Sequence, residues 1–317
     1  MKQVYTIDDL ASREVLDAGA AKPARLAVIG HPIAHSASPP MHQAALDAAA
    51  IDARYIRLDI EPGQVGDAFA RMRALGFIGC NVTVPHKLDA MAACDEVHPD
   101  AQAMGAVNTI RFDEDATRGF NTDGPGFARA IEADFDVSLA SLNVAIVGAG
   151  GGAGQAIATQ VCLSGVKKLV VVNRTVAKLV PLVARLRLLS PQTEIVALSF
   201  DDPSLTEQCL SCDLIVNTSS VGLKNDDPSI LPAACLKKEH LVYDTIYQPP
   251  VTSLLAEANA HGCRTANGVS MLLNQGALAF QQWFLGTNPL PTMQAALSHL
   301  SRGCSLTSIP GSSTEYQ

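Results

Sequence analysis

Along this chain, apolar residues come in short runs, some unbroken and some interrupted by a polar residue. Each run ends in a polar or glycine-rich bend, and a stretch with apolar positions at helical spacing follows. Residues 26–29, 55–60 and 78–84 form a first set of runs; residues 144–147, 169–172, 194–198, 214–217 and 241–244 form a second. Continuous runs of this length predict strands covered on both faces, and hence a parallel sheet with crossover helices. The intervening stretches predict helices over 41–50, 63–75 and 252–260, another beginning near Pro125, and a long one over 268–283. Ser38 reads as the N-cap of the first helix with Pro39 at its first position. Gly76 reads as the residue that ends the second. Residues 1–22 predict a short capping helix, with Thr6 as N-cap and Asp9 three residues on. The expected class is α/β in two parts, each built on a mostly parallel sheet.

The second set of runs carries the clearest chemistry. Residues 144–147 lead straight into Gly148, Ala149, Gly150, Gly151, Gly152 and Ala153, and an alanine-rich helical stretch follows. Strand, glycine turn and helix in that order predict a dinucleotide site. Gly148 permits the tight turn, Gly150 lets the backbone approach a pyrophosphate, and Ala153 keeps the helix close to the sheet; the free N–H groups of the helix start hold the phosphates. The next strand ends in Asn173, Arg174 and Thr175, with Lys178 one turn further on. An NAD site usually has a carboxylate there to accept from the ribose. A carboxylate would repel a 2′-phosphate, whereas a guanidinium attracts it and can bind it with two donors, so the expected cofactor is NADP(H).

In an open parallel sheet, ligands collect at the carboxyl ends of the strands. Those ends are polar here. Ser36 and Ser38 stand at a helix start, where hydroxyls and the helix dipole favour an anion. Asn81, Thr83 and Lys87 follow the third run, Asn108 follows residues 105–107, and Asn121 and Asp123 lie just before the Pro125 helix. Thr218 and Ser219 end a later strand.

The chain of 317 residues is long enough for two cores. Hydrophobic residues make up 48% and charged residues 17%, which excludes a disordered chain. A net charge of −8 without a basic face argues against nucleic acid as a partner. No signal core or membrane-length apolar run stands out, so a cytoplasmic protein acting on a small molecule is expected. The eight cysteines are scattered in apolar segments and read as reduced; the lone pair Cys209 and Cys212 has no companion pair, and no metal is expected.

Seven separated segments resemble the shikimate dehydrogenase family in sequence and in order. They are residues 30–39 (GHPIAHSASP), 81–87 (NVTVPHK), 105–109 (GAVNT), 121–124 (NTDG), the glycine loop, 173–175 (NRT) and 268–275 (GVSMLLNQ). The resemblance spans about residues 25–300. It implies a substrate-binding part over 24–122 and 268–300, with the last helices returning to it, and a Rossmann-type NADP-binding part over 123–267. Residues 1–23 would be an extension and 301–317 a flexible tail. It further implies that Ser36 and Ser38 hold a substrate carboxylate beside Tyr247, that Thr83, Asn108 and Gln275 bind ring hydroxyls, and that Gly268 and Met271 approach the cofactor. Lys87 and Asp123 would be the catalytic pair. Hydride transfer to a ring ketone leaves an alkoxide that must gain a proton, and a free lysine is a poor base at neutral pH, so the two side chains are expected to act as one coupled unit. The implied reaction is the NADP-dependent reduction of 3-dehydroshikimate to shikimate. A quinate or aminoshikimate paralogue and an NADP-binding regulator without catalysis stay open, and so does the oligomeric state, with a homodimer among the options.

Overall fold

The computed structural model describes residues 2–298, so the expected tail over 301–317 and the last two residues of the returning segment lie outside the described residues. Two sheets organise the chain. The first lobe is built from β1 (Tyr5–Thr6), α1 (Arg13–Leu16), β2 (Ala24–Gly30), α2 (Ser38–Ala48), β3 (Arg54–Asp59), α3 (Val65–Ala74), β4 (Gly79–Val82), α4 (Lys87–Ala92), β5 (Glu96–Val97), α5 (Pro99–Met104), β6 (Thr109–Phe112) and β7 (Thr117–Phe120). Its sheet runs in the order β1-β3-β2-β4-β6-β7-β5. The strands β1, β3, β2 and β4 are parallel neighbours, as the apolar runs predict. The β6–β7 hairpin is antiparallel and pairs antiparallel with β4; nothing in the run pattern announced it.

The second lobe begins with α6 (Asp123–Phe135). It continues through β8 (Val144–Val147), α7 (Gly152–Leu163), β9 (Lys168–Val172), α8 (Leu179–Leu189), β10 (Glu194–Leu198), α9 (Leu205–Leu210), β11 (Leu214–Asn217), β12 (Leu241–Asp244), α10 (Ser253–Ala260) and β13 (Arg264–Asn267). All six strands are parallel in the order β10-β9-β8-β11-β12-β13. This is the doubly wound order, in which the first strand lies beside the point where the winding reverses. The sixth strand, β13, escaped the sequence reading because its outer half is polar and its run is short.

Finally α11 (Val269–Trp283) and α12 (Leu290–Ala296) return to the first lobe. Val269, Leu273, Phe280 and Trp283 of α11 and Met293 of α12 share one core with Leu26, Val28, Met41 and Leu46. Burying a side chain of this size contributes about 1.5–3 kcal/mol. The Trp283 indole N–H also donates to the Ile110 carbonyl at 2.8 Å, so the end of α11 is pinned to β6. Where α11 crosses α6, Gly126 allows close approach: a Cβ there would stand 2.8 Å from the Cβ of Gln275.

Several boundaries differ from the sequence expectation. Residues 1–22 do not form one capping helix. Thr6 and Asp9 do make the capping box, but on a 3-10 turn, and β1 before it extends the sheet beside β3. Ser38 is the first residue of α2 rather than its cap; Ala37 takes the cap position and the Ser36 hydroxyl accepts from the Ser38 N–H at 3.3 Å. The helix expected near Pro125 begins at Asp123. Among the described residues no helix is long and apolar enough to cross a membrane.

Candidate active site

The carboxyl ends of β2 and β4, the residue before β6 and the start of α6 converge on a cavity of about 430 Å³. Ser36, Ser38, Thr83, Lys87, Asn108, Asp123, Tyr247 and Gln275 all line it. Every residue expected at the substrate is therefore in one place. Lys87 opens α4, where a cation opposes the helix dipole. Its ammonium reaches instead to Asp123, Nζ to Oδ2 at 2.6 Å, with the two side chains 18% and 10% exposed. Asp123 opens α6, where negative charge suits the dipole. The other carboxylate oxygen, Oδ1, accepts from Asn108 Nδ2 at 2.8 Å, and the Asp123 N–H donates to Asn121 Oδ1 at 3.0 Å. The pair is held at both ends.

The turn that carries Lys87 is anchored beneath. His86 is fully buried, with Nε2 2.6 Å from the Ile60 carbonyl, and the Val107 N–H donates to the Lys87 carbonyl. On the other wall, Arg57 donates to the Ser36 carbonyl at 2.7 Å and steadies the serine loop. Tyr247 is largely enclosed, and that burial pushes its phenol pKa up, so the hydroxyl stays protonated. The Gln275 amide donates back along its own helix to the Leu272 carbonyl at 2.8 Å.

A second cavity of about 470 Å³ lies over the end of β8. Gly148, Gly150, Gly151, Asn173, Arg174, Thr175, Lys178 and Ser219 line it. Gly148 has φ +83°, and a Cβ there would stand 2.8 Å from Ser219, so the tight turn requires glycine. A Cβ on Gly150 would meet the Asn173 amide at 2.9 Å; that amide accepts from the Gly150 N–H and donates to the Thr175 carbonyl. The loop is thus tied to the basic segment after β9. The close helix–sheet approach belongs to Gly154 rather than to Ala153. A Cβ on Gly154 would lie 2.7 Å from Ala149 Cα and from the Gly148 carbonyl. Ala149 is fully buried in the core beneath the loop, and Gly152 has open space around it.

Six residues expected at the cofactor do not line the second cavity: Ala149 and Gly152, just described, and four others. Ala153, Gly268 and Met271 line the first cavity. Through Ala153 the wall of that cavity reaches the first turn of α7, where the glycine loop ends. The Thr218 hydroxyl turns inward to the Val147 carbonyl at 2.8 Å, bracing the end of β11 against β8. Phe200, Pro228 and Ile230, which the sequence reading did not single out, supply the apolar wall of the second cavity. Phe200 follows β10 and was legible as a strand end; Pro228 and Ile230 belong to an irregular segment with no periodic signal. Thr245 and His35 were missed in the first cavity, and Thr245 too stands at a strand end.

The second cavity fits a dinucleotide. Its floor is a backbone turn in which a Cβ on Gly148 or Gly150 would clash, α7 begins there with no side-chain cap for its N–H groups, and Arg174 and Lys178 stand at its rim with no carboxylate among the lining residues.

Comparison with known proteins agrees with this geometry. The family model for the shikimate dehydrogenase substrate binding domain matches residues 28–110, and that for shikimate / quinate 5-dehydrogenase matches 130–221. A shikimate dehydrogenase (NADP(+)) of Symbiobacterium thermophilum is 41% identical over 282 residues, covering 86% of this chain and 92% of that one. The crystal structure of shikimate 5-dehydrogenase from Thermus thermophilus in complex with NADP(H) and shikimate has a TM-score of 0.76 and 35% identity, covering 87% of this chain and 99% of that one. Quinate dehydrogenase from Corynebacterium glutamicum in complex with NAD follows at TM-score 0.77 and 31% identity, covering 86% and 97%. Identity of this level along nearly the whole chain, with the paired cavities and the strand orders, places the protein: it belongs to the shikimate dehydrogenase family.

Proposed function

We propose that the protein is an NADP-dependent shikimate dehydrogenase that interconverts 3-dehydroshikimate and shikimate. The observation that carries this is the Lys87–Asp123 contact of 2.6 Å inside a cavity whose wall includes Ala153, the residue that follows the glycine loop. Ser36 and Ser38, at the start of α2, hold the substrate carboxylate with Tyr247 beside it. Thr83, Asn108 and Gln275 take ring hydroxyls. Gly148, Gly150 and Gly151 cradle the pyrophosphate, and Arg174 with Lys178 takes the 2′-phosphate. When bound, the nicotinamide supplies the hydride in reduction and receives it in oxidation. Lys87 donates the proton that the developing alkoxide needs, and Asp123 keeps the ammonium aimed at that oxygen. In the oxidative direction the pair takes the alcohol proton as one unit.

In domain terms, residues 24–122 and 268–300 bind the substrate and 123–267 bind NADP. A cytoplasmic enzyme on a small-molecule substrate belongs to the same reading. The test is NADP⁺ reduction, followed by NADPH absorbance, with shikimate and quinate as parallel substrates and NAD⁺ as the parallel cofactor. Fast turnover with shikimate and NADP⁺ alone supports the reading. Turnover with quinate and NAD⁺ would keep the catalytic pair and overturn the role given to Arg174. No turnover in any combination would favour an NADP-binding regulator.

A further inference from the structure

Beside the catalytic carboxylate runs a row of buried polar side chains, two of which, Asn81 and Asn108, also reach the wall of the first cavity. Tyr55 on β3 is 4% exposed, and its hydroxyl is 2.7 Å from Asn81 Oδ1. Asn81 Nδ2 is 3.2 Å from the hydroxyl of Thr109, which is fully buried at the start of β6. The Thr109 hydroxyl is 2.9 Å from Asn108 Oδ1. Asn108 Nδ2 is 2.8 Å from Asp123 Oδ1.

The direction of each hydrogen bond follows from backbone groups that have only one role. An amide side chain can be placed either way round, and its partners decide. Asn108 Oδ1 faces the Thr122 backbone N–H at 2.8 Å, which can only donate. The Asn108 amide is therefore oriented with its nitrogen toward Asp123. Asn81 Nδ2 faces the Asn108 backbone carbonyl at 3.4 Å, which can only accept. Its nitrogen is therefore the group that meets Thr109. Thr109 accepts from Asn81, so its own proton is free for Asn108 Oδ1. At the far end, burial pushes the Tyr55 phenol pKa well up, and the ring stacks on His42 at 4.4 Å between centroids; the hydroxyl stays a donor in a fixed place.

We infer that Tyr55, Asn81, Thr109 and Asn108 form a one-way hydrogen-bond chain that ends on Asp123, with Thr109 as the positioning residue that joins its two amides. Every donor points toward the carboxylate, and serial hydrogen bonds of one sense polarise one another. Were the Asn108 amide to turn over, its oxygen would face the Asp123 oxygen and repel it. The Thr109 hydroxyl makes that inversion costly from one side and the Thr122 N–H from the other. Both N–H groups of Asn108 are engaged, one by Asp123 and one by the Thr122 hydroxyl at 3.0 Å. Asn108 therefore holds the carboxylate while also lining the substrate cavity. This deepens the proposed function and rests on Lys87 and Asp123 being its acid–base pair.

Thr109→Val keeps the shape and removes the hydroxyl; Thr109→Ser keeps the hydroxyl. The expected result for Thr109→Val is a kcat roughly ten-fold below wild type, the cost of one oriented buried hydrogen bond, with KM for NADPH within about two-fold and Thr109→Ser near wild type. Equal kcat for Thr109→Val and wild type would overturn the inference. So would equal losses in the Val and Ser variants, since packing rather than the hydroxyl would then be at work. Should Thr109→Val fail to fold, Thr109→Ala read against Thr109→Ser makes the same comparison. A crystal structure of the hydroxyl-free variant decides the geometry without turnover: a displaced Asn108 or Asp123 side chain is expected, and an unchanged pair would overturn the chain. A wild-type protein that binds NADPH but turns nothing over counts against the function alone.

Discussion

Gly126→Ala puts one methyl group where α6 and α11 cross, and its cost can be worked through. The new Cβ would lie 2.8 Å from both Cβ and backbone N of Gln275 and 2.9 Å from its Cα. None of these is the far end of a flexible side chain, so the helices themselves must part. Moving from 2.8 Å to the 3.4 Å of ordinary contact needs a displacement of about 0.6 Å. Overpacking of this kind costs about 1–3 kcal/mol of stability. The same shift moves both sides of the active site. Gln275 and Met271 ride on α11, and Asp123 stands one turn before Gly126 on α6. A misplacement of about 1 Å can cost about 10²-fold in rate, so 0.6 Å is expected to lower kcat/KM for shikimate roughly ten-fold. Thermal melting and steady-state kinetics on the same preparation are the assay. A variant that melts early but keeps wild-type kcat/KM would refute the coupling of crossing to site, and one that matches wild type in both would refute the clash.

Lys87→Ala should lower turnover by about 10²–10⁴-fold, the usual range for a lost acid–base group; stopped assays at high enzyme will show it, and a rate within a few-fold of wild type would remove Lys87 from the chemistry. Arg174→Ala should raise KM for NADP⁺ roughly ten-fold or more while leaving the slow reaction with NAD⁺ nearly unchanged; equal losses with both cofactors would mean the guanidinium does not read the 2′-phosphate. His42 is fully buried without a hydrogen-bond partner for either ring nitrogen, and burial lowers its pKa from 6.5 to about 3. The unfolded chain binds this proton first as pH falls, so stability held above pH 6.5 is lost progressively toward pH 3, by about 2 kcal/mol at pH 5. Urea midpoints at pH 7 and pH 5 should differ less in His42→Phe than in wild type; an unchanged difference would assign the acid loss to other groups.

The parallel strands were legible because burial on both faces writes most of them as predominantly apolar runs. The glycine loop was legible because only glycine serves at Gly148 and Gly150. The site residues were legible because polar groups at strand ends are costly unless used. What escaped has physical reasons. The β6–β7 hairpin, with the sequences TIRF and TRGF, is half polar and carries Arg111 and Arg118 on one face, so its period is too short and too mixed to stand out. The packing contact of the glycine loop depends on how deeply α7 settles on the sheet, which Gly154 and Ala153 could equally have decided from sequence. The direction of the chain through Asn81, Thr109 and Asn108 depends on residues that face one another across paired strands, and no local pattern encodes that.

The return of α11 and α12 to the first sheet also sets an order of events during synthesis. The β-strands of the first lobe leave the ribosome early, but Leu26, Val28, Met41 and Leu46 have their apolar partners on helices made more than two hundred residues later. Units of structure fold as they become complete. The glycine-loop lobe, closed by β13 at Asn267, is therefore the first to finish, while the substrate lobe waits half-built with an uncovered face. A released chain truncated after residue 268 should bind NADPH and be held by chaperones at its amino-terminal half.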